Sequence, residues 1–276
     1  MNDLADSARR RHEQDTRSPQ ELVKAYLCDP DSHEAWYAVA TLHFRGGQTE
    51  FDLAAELTQG PHAERRALGA HILGQLGVTE PTFVDESVDI LLGLLDDESD
   101  DVVYATCVAL GFRNEPRSIQ PLLGLIHHAN ALVRWGVVSG LSGYEDENAI
   151  DGLIRLSGDE NASVRDWATF GLGSQTCWDT PQLREALVSR IDDEDEMVRG
   201  EALVGLAARR DPRTVGFLQR ELAGNVITGI ALEAAASLAD PALYPLLQEL
   251  EEADNDSPIR NELRNALVAC RPLDID

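Results

Sequence analysis

The sequence predicts an all-α solenoid, a superhelical array of helical hairpins, and three observations carry that reading. The first is a stretch that recurs along the chain. Its clearest copy is Val164-Arg165-Asp166-Trp167-Ala168-Thr169-Phe170-Gly171-Leu172-Gly173: an aliphatic residue, often an arginine, small residues, and Leu with a small residue at the end. It returns as Val102-Val103…Leu110-Gly111, Val133-Arg134…Leu141-Ser142, Val198-Arg199…Leu206-Ala207 and Ile259-Arg260…Leu267-Val268. Weaker copies are Arg65-Arg66…Leu73-Gly74 and Ile230-Ala231…Leu238-Ala239. Starts at 65, 102, 133, 164, 198, 230 and 259 give spacings of 37, 31, 31, 34, 32 and 29 residues, the period of stacked repeats. The second observation is that apolar positions follow a helical period throughout, with no strand-like alternation. The third is composition: hydrophobic residues make up 43% but aromatics only 5%, so Leu and Ala must build the core through close helix-on-helix packing.

The elements follow in order. Residues 1–17 are polar and are expected to be disordered. Ser18-Pro19-Gln20-Glu21 reads as a helix start, with a Ser N-cap, Pro in the first turn and Glu at the capping-box position. That helix runs through Cys28 and stops before Pro30. Ser32 caps a second helix, whose apolar side is Ala35, Trp36, Val39, Ala40, Leu42 and His43 and whose end is Gly46-Gly47. A third runs from about Thr49 to Thr58 and closes at Gly60-Pro61. Residues 18–60 lack the repeat outline and are assigned as a helical N-terminal cap, which an open-ended array needs to shield its first core layer. From 61 to 276 the chain reads as about seven repeats, each a pair of helices whose second member carries the recurring stretch. Thr82-Phe83-Val84-Asp85 opens one first helix with Thr82 as its expected cap; Val84, Val88, Leu91, Leu92 and Leu95 then lie on one face. Leu122–Ile126, Ile150–Leu156, Leu183–Ile191, Val215–Leu222 and Leu243–Leu250 fill the same role.

Acidic connectors separate the paired helices: 96–101, 158–161, 192–196 and 254–257. None has the alternating ligands, central Gly and terminal Glu of a calcium loop. Each precedes a helix N-terminus, where carboxylates satisfy free N–H groups and oppose the positive dipole end. No metal and no cofactor is therefore expected. The formal charge is −26, with Lys24 the only lysine, which argues against nucleic acid as a partner, because phosphate backbones are held by many cationic contacts. Cys28, Cys107, Cys177 and Cys270 are scattered, as reduced thiols in a cytoplasm would be. No apolar run is long enough for a membrane span, and Met1–Gln14 is too polar for a secretory signal.

A Val-Arg pair opening a helix, Ala in its middle, Leu-Gly near its end and an acidic turn before it resemble HEAT repeats. The short bacterial variety found in phycobilin lyases is the nearest kind. The resemblance covers about Pro61 to Cys270 and implies a solenoid of HEAT-like hairpins whose second helices line a concave face. It also implies that the second-position arginines, Arg66, Arg134, Arg165, Arg199 and Arg260, pair with acidic turns of an adjacent repeat. Positions one, five, eight and nine then point inward, and positions three, four and seven outward. The outward set is Ala67, Leu68 and His71; Tyr104, Ala105 and Val108; Trp135, Gly136 and Ser139; Asp166, Trp167 and Phe170; and Gly200, Glu201 and Val204.

Large aromatics gather on three consecutive repeats of that set. Tyr104, Trp135, Trp167 and Phe170, edged by Arg134 and Arg165, are accordingly the candidate partner-binding residues, since clustered exposed aromatics mark interaction surfaces. The expected function is a non-enzymatic, cytoplasmic scaffold that binds a protein partner, with a basic one favoured by charge, and neither nucleic acid nor membrane. The alternative is an enzyme or chaperone for a small aromatic ligand or modified base. His12-Glu13 and His33-Glu34 resemble the iron ligands of deoxyhypusine hydroxylase, but they precede the array, and its fifth repeat has Gly200-Glu201 instead; that activity is not expected. Trp135, Arg165, Asp166 and Trp167 supply the residue types of a HEAT-like DNA glycosylase, against which stands the charge.

Overall fold

A computed structural model describes residues 10–12, 14–224, 226–253 and 259–272. Among them 70% are helical and none forms a strand. The chain divides into two compact units, Met1–Gly140 and Leu141–Asp276.

The first unit opens with helices α1 (Pro19–Cys28), α2 (His33–Arg45) and α3 (Gln48–Thr58). The start of α1 is the expected capping box: Glu21 N–H donates to Ser18 Oγ at 3.3 Å and Ser18 N–H to Glu21 Oε2 at 2.7 Å. Ser32 caps α2, and Gly46 ends it in the left-handed region at φ 52°, its N–H returning to Leu42 O. Of the segment before α1, residues 1–9 and 13 lie outside the described residues. Among 10–12 and 14–17, Arg10, Arg11, Gln14 and Thr16 are exposed, but His12 is buried and Asp15 and Arg17 are partly so, because α2 offers them partners. His12 is sandwiched between Tyr37 and Phe44 at 4.6 and 4.7 Å and hydrogen-bonds Thr41 Oγ1 at 2.9 Å. Arg17 donates to the Asp15 carboxylate, and Arg45 donates to Arg17 O at 2.8 Å.

The paired helices follow: α4 (Ala63–Gln75), α5 (Val84–Leu94), α6 (Asp100–Arg113), α7 (Ile119–Leu123) and α8 (Ala131–Leu141), the last ending at the unit boundary. Thr82 is not the cap of α5. The N-cap is Phe83, in the left-handed region at φ 50° with no side-chain cap bond, while Thr82 Oγ1 donates to Gly46 O at 2.7 Å. The hydroxyl thus ties the start of α5 to the end of α2, a longer-range use of the residue than a local one.

The second unit contains α9 (Glu147–Leu156), α10 (Ala162–Ser174), α11 (Pro181–Val188), α12 (Glu196–Ala208), α13 (Thr214–Leu222), α14 (Gly229–Leu238), α15 (Tyr244–Ala253) and α16 (Arg260–Ala269). The acidic connector at 254–257 lies outside the described residues. Each second helix of this unit, α10, α12, α14 and α16, packs on the next.

The repeat outline is a core pattern. Val102, Val133, Val164 and Val198 at position one are fully buried, as are Leu110, Leu141, Leu172 and Leu206 at position nine. Glycines set how closely neighbouring second helices approach. A Cβ on Gly205 would lie 2.7 Å from Gly173 Cα, and one on Gly74 would lie 2.8 Å from Ala109 Cα, so at both places backbone meets backbone.

Four of the five second-position arginines, Arg66, Arg134, Arg165 and Arg199, share a geometry. Arg66 donates from Nε and one terminal nitrogen to Asp97 at 2.7 and 2.8 Å, and from the other to Gly60 O at 3.2 Å. Arg165 repeats this, with Asp193 at 2.9 Å on both nitrogens and the carbonyls of Asp159 and Glu160 at 3.0 and 3.2 Å. Arg199 donates to Asp193 O and Glu194 O, and Arg134 to His128 O and Ala129 O. Each of these guanidinium groups therefore closes its own turn, and Asp97 and Asp193 clamp Arg66 and Arg165 to the following turn as well. Hydrogen bonds from Arg66 hold the Asp97 carboxyl below the usual range. Burial opposes the charge of Asp193, yet the Arg165 guanidinium and the Asp195 N–H hold its carboxyl low as well.

A second set of arginines was not anticipated. Arg113 donates to Leu73 O at 2.6 Å, Leu76 O and Ser87 Oγ, and burial lowers its guanidinium to about 10. Arg209, at the same offset from its repeat start, reaches Leu172 O, Gly173 O, Thr176 O, Trp178 O and Gly205 O. Both satisfy the carbonyls left open at the C-terminus of the preceding second helix.

Candidate functional site

The outward side of the second helices is where the expected aromatics lie, and each unit is described separately. In the first unit Tyr104 on α6 and Trp135 on α8 are half-buried and face each other, with ring centroids 5.6 Å apart and planes tilted by 41°. Gly136 makes that contact possible, because a Cβ there would stand 3.0 Å from Tyr104 Cδ2. Trp36, on α2, is 55% exposed and meets the edge of His71 at 6.2 Å. His71 stacks on His43 at 5.2 Å. Burial, aided by the neighbouring His71, depresses His43 to about 3, and burial lowers His71 too. Both rings are thus neutral near pH 7 and extend the apolar character of this face.

In the second unit Trp167 on α10 is 47% exposed, the most open of the predicted aromatics, and meets Phe170 edge-on at 5.7 Å. Asp166 precedes it on the same side, and Glu201 on α12 lies within electrostatic range of Asp166. Burial first, then the charges of Asp166 and Glu233, raise the Glu201 carboxyl to about 7. Burial and Asp195 raise Asp166 as well.

Tyr104, Trp135, Trp167 and Phe170 therefore stand where helical spacing puts them. Arg134 and Arg165 do not edge the surface. They are 6% and 7% exposed, and their guanidinium groups are committed to the turns. Arg165 consequently points away from Asp166 and Trp167, so a single Trp-Asp-Arg face of the glycosylase kind does not form. Three other outward positions are also buried. Leu68 is 2% exposed and belongs to the core, while Gly136 and Gly200 lie where a neighbouring helix approaches. At Gly200 a Cβ would come within 2.2 Å of Ile230 Cγ2.

The apolar side assigned to the second helix includes Trp36, but that ring is 55% exposed, and the fourth-position carboxylates of the last repeats are not among the candidate site residues. The signal for the latter was available: Glu201, Glu233 and Glu262 all occupy position four of their stretch. Elsewhere, an open groove of about 1160 Å³ runs between α1 and α3, lined by Val23, Leu27, Leu53 and Leu57 with Lys24 and Arg65 on its rim. No group of three or more His, Cys, Asp or Glu among the described residues is placed to hold a metal ion. No helix among them is long and apolar enough to cross a membrane.

A family model for HEAT repeats matches residues 52–142, 88–173 and 150–226. Protein YibA of Escherichia coli strain K12 is 29% identical over 240 residues, which cover 84% of this chain and 85% of YibA. The X-ray structure of YibA aligns with a TM-score of 0.70 at 26% identity, over 97% of this chain and 96% of that one. The crystal structure of an engineered protein gives a TM-score of 0.53 at 18% identity, over 91% of this chain and 78% of that one, a likeness of fold alone.

Proposed function

As the chain belongs to the HEAT-repeat family, we propose that it is a non-enzymatic scaffold that holds a protein partner on the outward face of its second helices. Tyr104 and Trp135 serve the first unit, and Trp167 and Phe170 the second. The observation that carries this reading is the exposure of Trp167, 47% open beside Phe170, in a chain where aromatics are only 5%. A core aromatic would be covered. An exposed one offers a large contact area at small entropic cost to a partner that covers it. Arg66, Arg134, Arg165 and Arg199 support the same division of labour, since they stiffen the turns on which this face depends and leave the face itself to other residues. The commitment of Arg165 to Asp193 weighs against the modified-base alternative.

Affinity capture with the tagged full chain separates the two classes. The scaffold reading expects one protein recovered in stoichiometric amount with the wild type and lost with Trp167→Ala/Phe170→Ala. A light-absorbing small molecule that co-purifies with the chain, with no stoichiometric protein, would establish the small-ligand reading instead.

A further inference from the structure

The second unit carries a row of carboxylates along its second helices. Asp166 on α10, Glu201 on α12, Glu233 on α14 and Glu262 on α16 occupy position three or four of four consecutive stretches, and these helices pack in succession. Glu201 lies within electrostatic range of both Asp166 and Glu233. Glu262 continues the row, with its Cγ 3.7 Å from where a Cβ of Gly229 would stand at the start of α14.

Among the described residues none of the four carboxylates takes part in an ion pair, although Arg260 and Arg264 share α16 with Glu262. Asp166 Oδ1 and Glu262 Oε2 are shut off from solvent without a hydrogen-bond partner. The arginines on α10 and α12 are engaged elsewhere: Arg165 with Asp193, Arg199 with Glu221 and two turn carbonyls. Like charges gathered on a partly dried surface oppose one another, and a partly buried carboxylate oxygen without a partner costs free energy. What relieves both is a cation supplied from outside.

Spacing decides what kind. A metal ion needs several ligands converging on one point, and no such group exists among the described residues. Here the carboxylates are distributed one per helix, and packed helices stand roughly 8–10 Å apart. Alternate side chains of an extended polypeptide are about 7 Å apart on one face. Such a strand can therefore set successive cationic side chains opposite successive carboxylates. Trp167, adjoining Asp166 at one end of the row, offers an indole for a guanidinium to stack on.

We propose that the second-helix face of the 141–276 unit binds an extended, arginine- or lysine-rich polypeptide segment, with Asp166, Glu201, Glu233 and Glu262 as its counter-charges and Trp167 as a stacking surface. This rests on the scaffold reading and specifies the partner's chemistry.

The test uses the full chain and a fluorescein-labelled octa-arginine peptide, followed by anisotropy at physiological salt. Asp166→Asn/Glu201→Gln/Glu233→Gln/Glu262→Gln is compared with Asp151→Asn/Glu64→Gln/Glu249→Gln/Glu252→Gln, an equal charge change at exposed carboxylates that take part in no ion pair. The row variant is expected to bind at least tenfold more weakly and the control within about twofold of wild type, with Trp167→Ala several-fold weaker. Equal weakening by the two quadruple variants would overturn the proposal, because net charge alone then accounts for binding. Should the row variant fold poorly, the single variants Glu201→Gln and Glu233→Gln carry the test. Each is expected to weaken binding about threefold, and unchanged affinity in both contradicts the row. Stabilisation of wild type but not of the row variant by calcium or magnesium alone would overturn it in favour of a metal site. If octa-arginine binding ignores the row while a captured protein is still lost with Trp167→Ala/Phe170→Ala, the scaffold reading stands and only the basic chemistry fails.

Discussion

Glu201 sits half-buried with Asp166 and Glu233 in range, and its carboxyl is raised from 4.5 to about 7 by burial and by those two charges. A raised carboxyl means that the folded state holds a proton which the unfolded state has released between pH 4.5 and 7. Stability from this site is therefore present at low pH and declines as pH rises through that window. Glu201→Gln, which fixes the neutral form, should raise the melting temperature at pH 8 and leave it nearly unchanged at pH 5. Thermal melts of the two proteins at both pH values check this, and a lowered melting temperature at pH 8 would contradict it. Arg165 has the opposite position. It is clamped by Asp193 and by two carbonyls, so Arg165→Met takes the bidentate partner from a carboxylate whose side chain is only 5% exposed, leaving it Arg190 at 3.5 Å and the Asp195 N–H. The expected cost is about 2 kcal/mol, the scale of hydrogen bonds to a charged group. It should appear as a lower midpoint in urea at pH 7, and most of the difference from wild type should fade once Asp193 is protonated in acid.

At the scale of the helix, the array is held by buried leucines and by glycines at which backbones touch. Leu172 is fully buried, and Leu172→Ala should cost roughly 2–5 kcal/mol, read from denaturant unfolding. Gly205→Val puts branched carbon where Gly173 Cα already stands at 2.7 Å from a bare Cβ. It should destabilise by about 1–3 kcal/mol through overpacking, and a neutral result would show that α10 and α12 can part without loss. The helices themselves were legible because the cues for them are local: Ser18 with Glu21, Ser32, and Gly46 at φ 52° each act within one turn. Thr82 misled because a hydroxyl can accept a helix N–H as a cap or donate elsewhere, and the acceptor to which it donates, Gly46 O, is far away in sequence. His12 was unreadable for the same reason, since its partners Tyr37, Thr41 and Phe44 belong to another helix.

For the whole chain, the HEAT-like repeat and its all-helical class followed from a period that any strip of sequence repeats. The candidate site was legible only in part. Helical spacing placed Tyr104, Trp135, Trp167 and Phe170 on the outward side, but spacing does not say where a long side chain turns. Arg134 and Arg165 leave their helices beside that face and end in the turns behind it. The carboxylate row was hidden by abundance: with 49 acidic residues, four at matching positions do not stand out until packing brings their helices together. An acidic excess used for binding also has a salt signature. Affinity for the partner should fall steeply between low and physiological salt, as exposed charges become screened within about 8–10 Å. The most direct test of the scaffold claim is calorimetric titration of the captured protein into wild type and into Trp167→Ala/Phe170→Ala, with melting temperatures recorded for both. The account predicts binding weakened by about 2 kcal/mol or more, roughly thirtyfold, with little change in melting temperature. Unchanged affinity together with a large drop in melting temperature would contradict it and make these two aromatics part of the core.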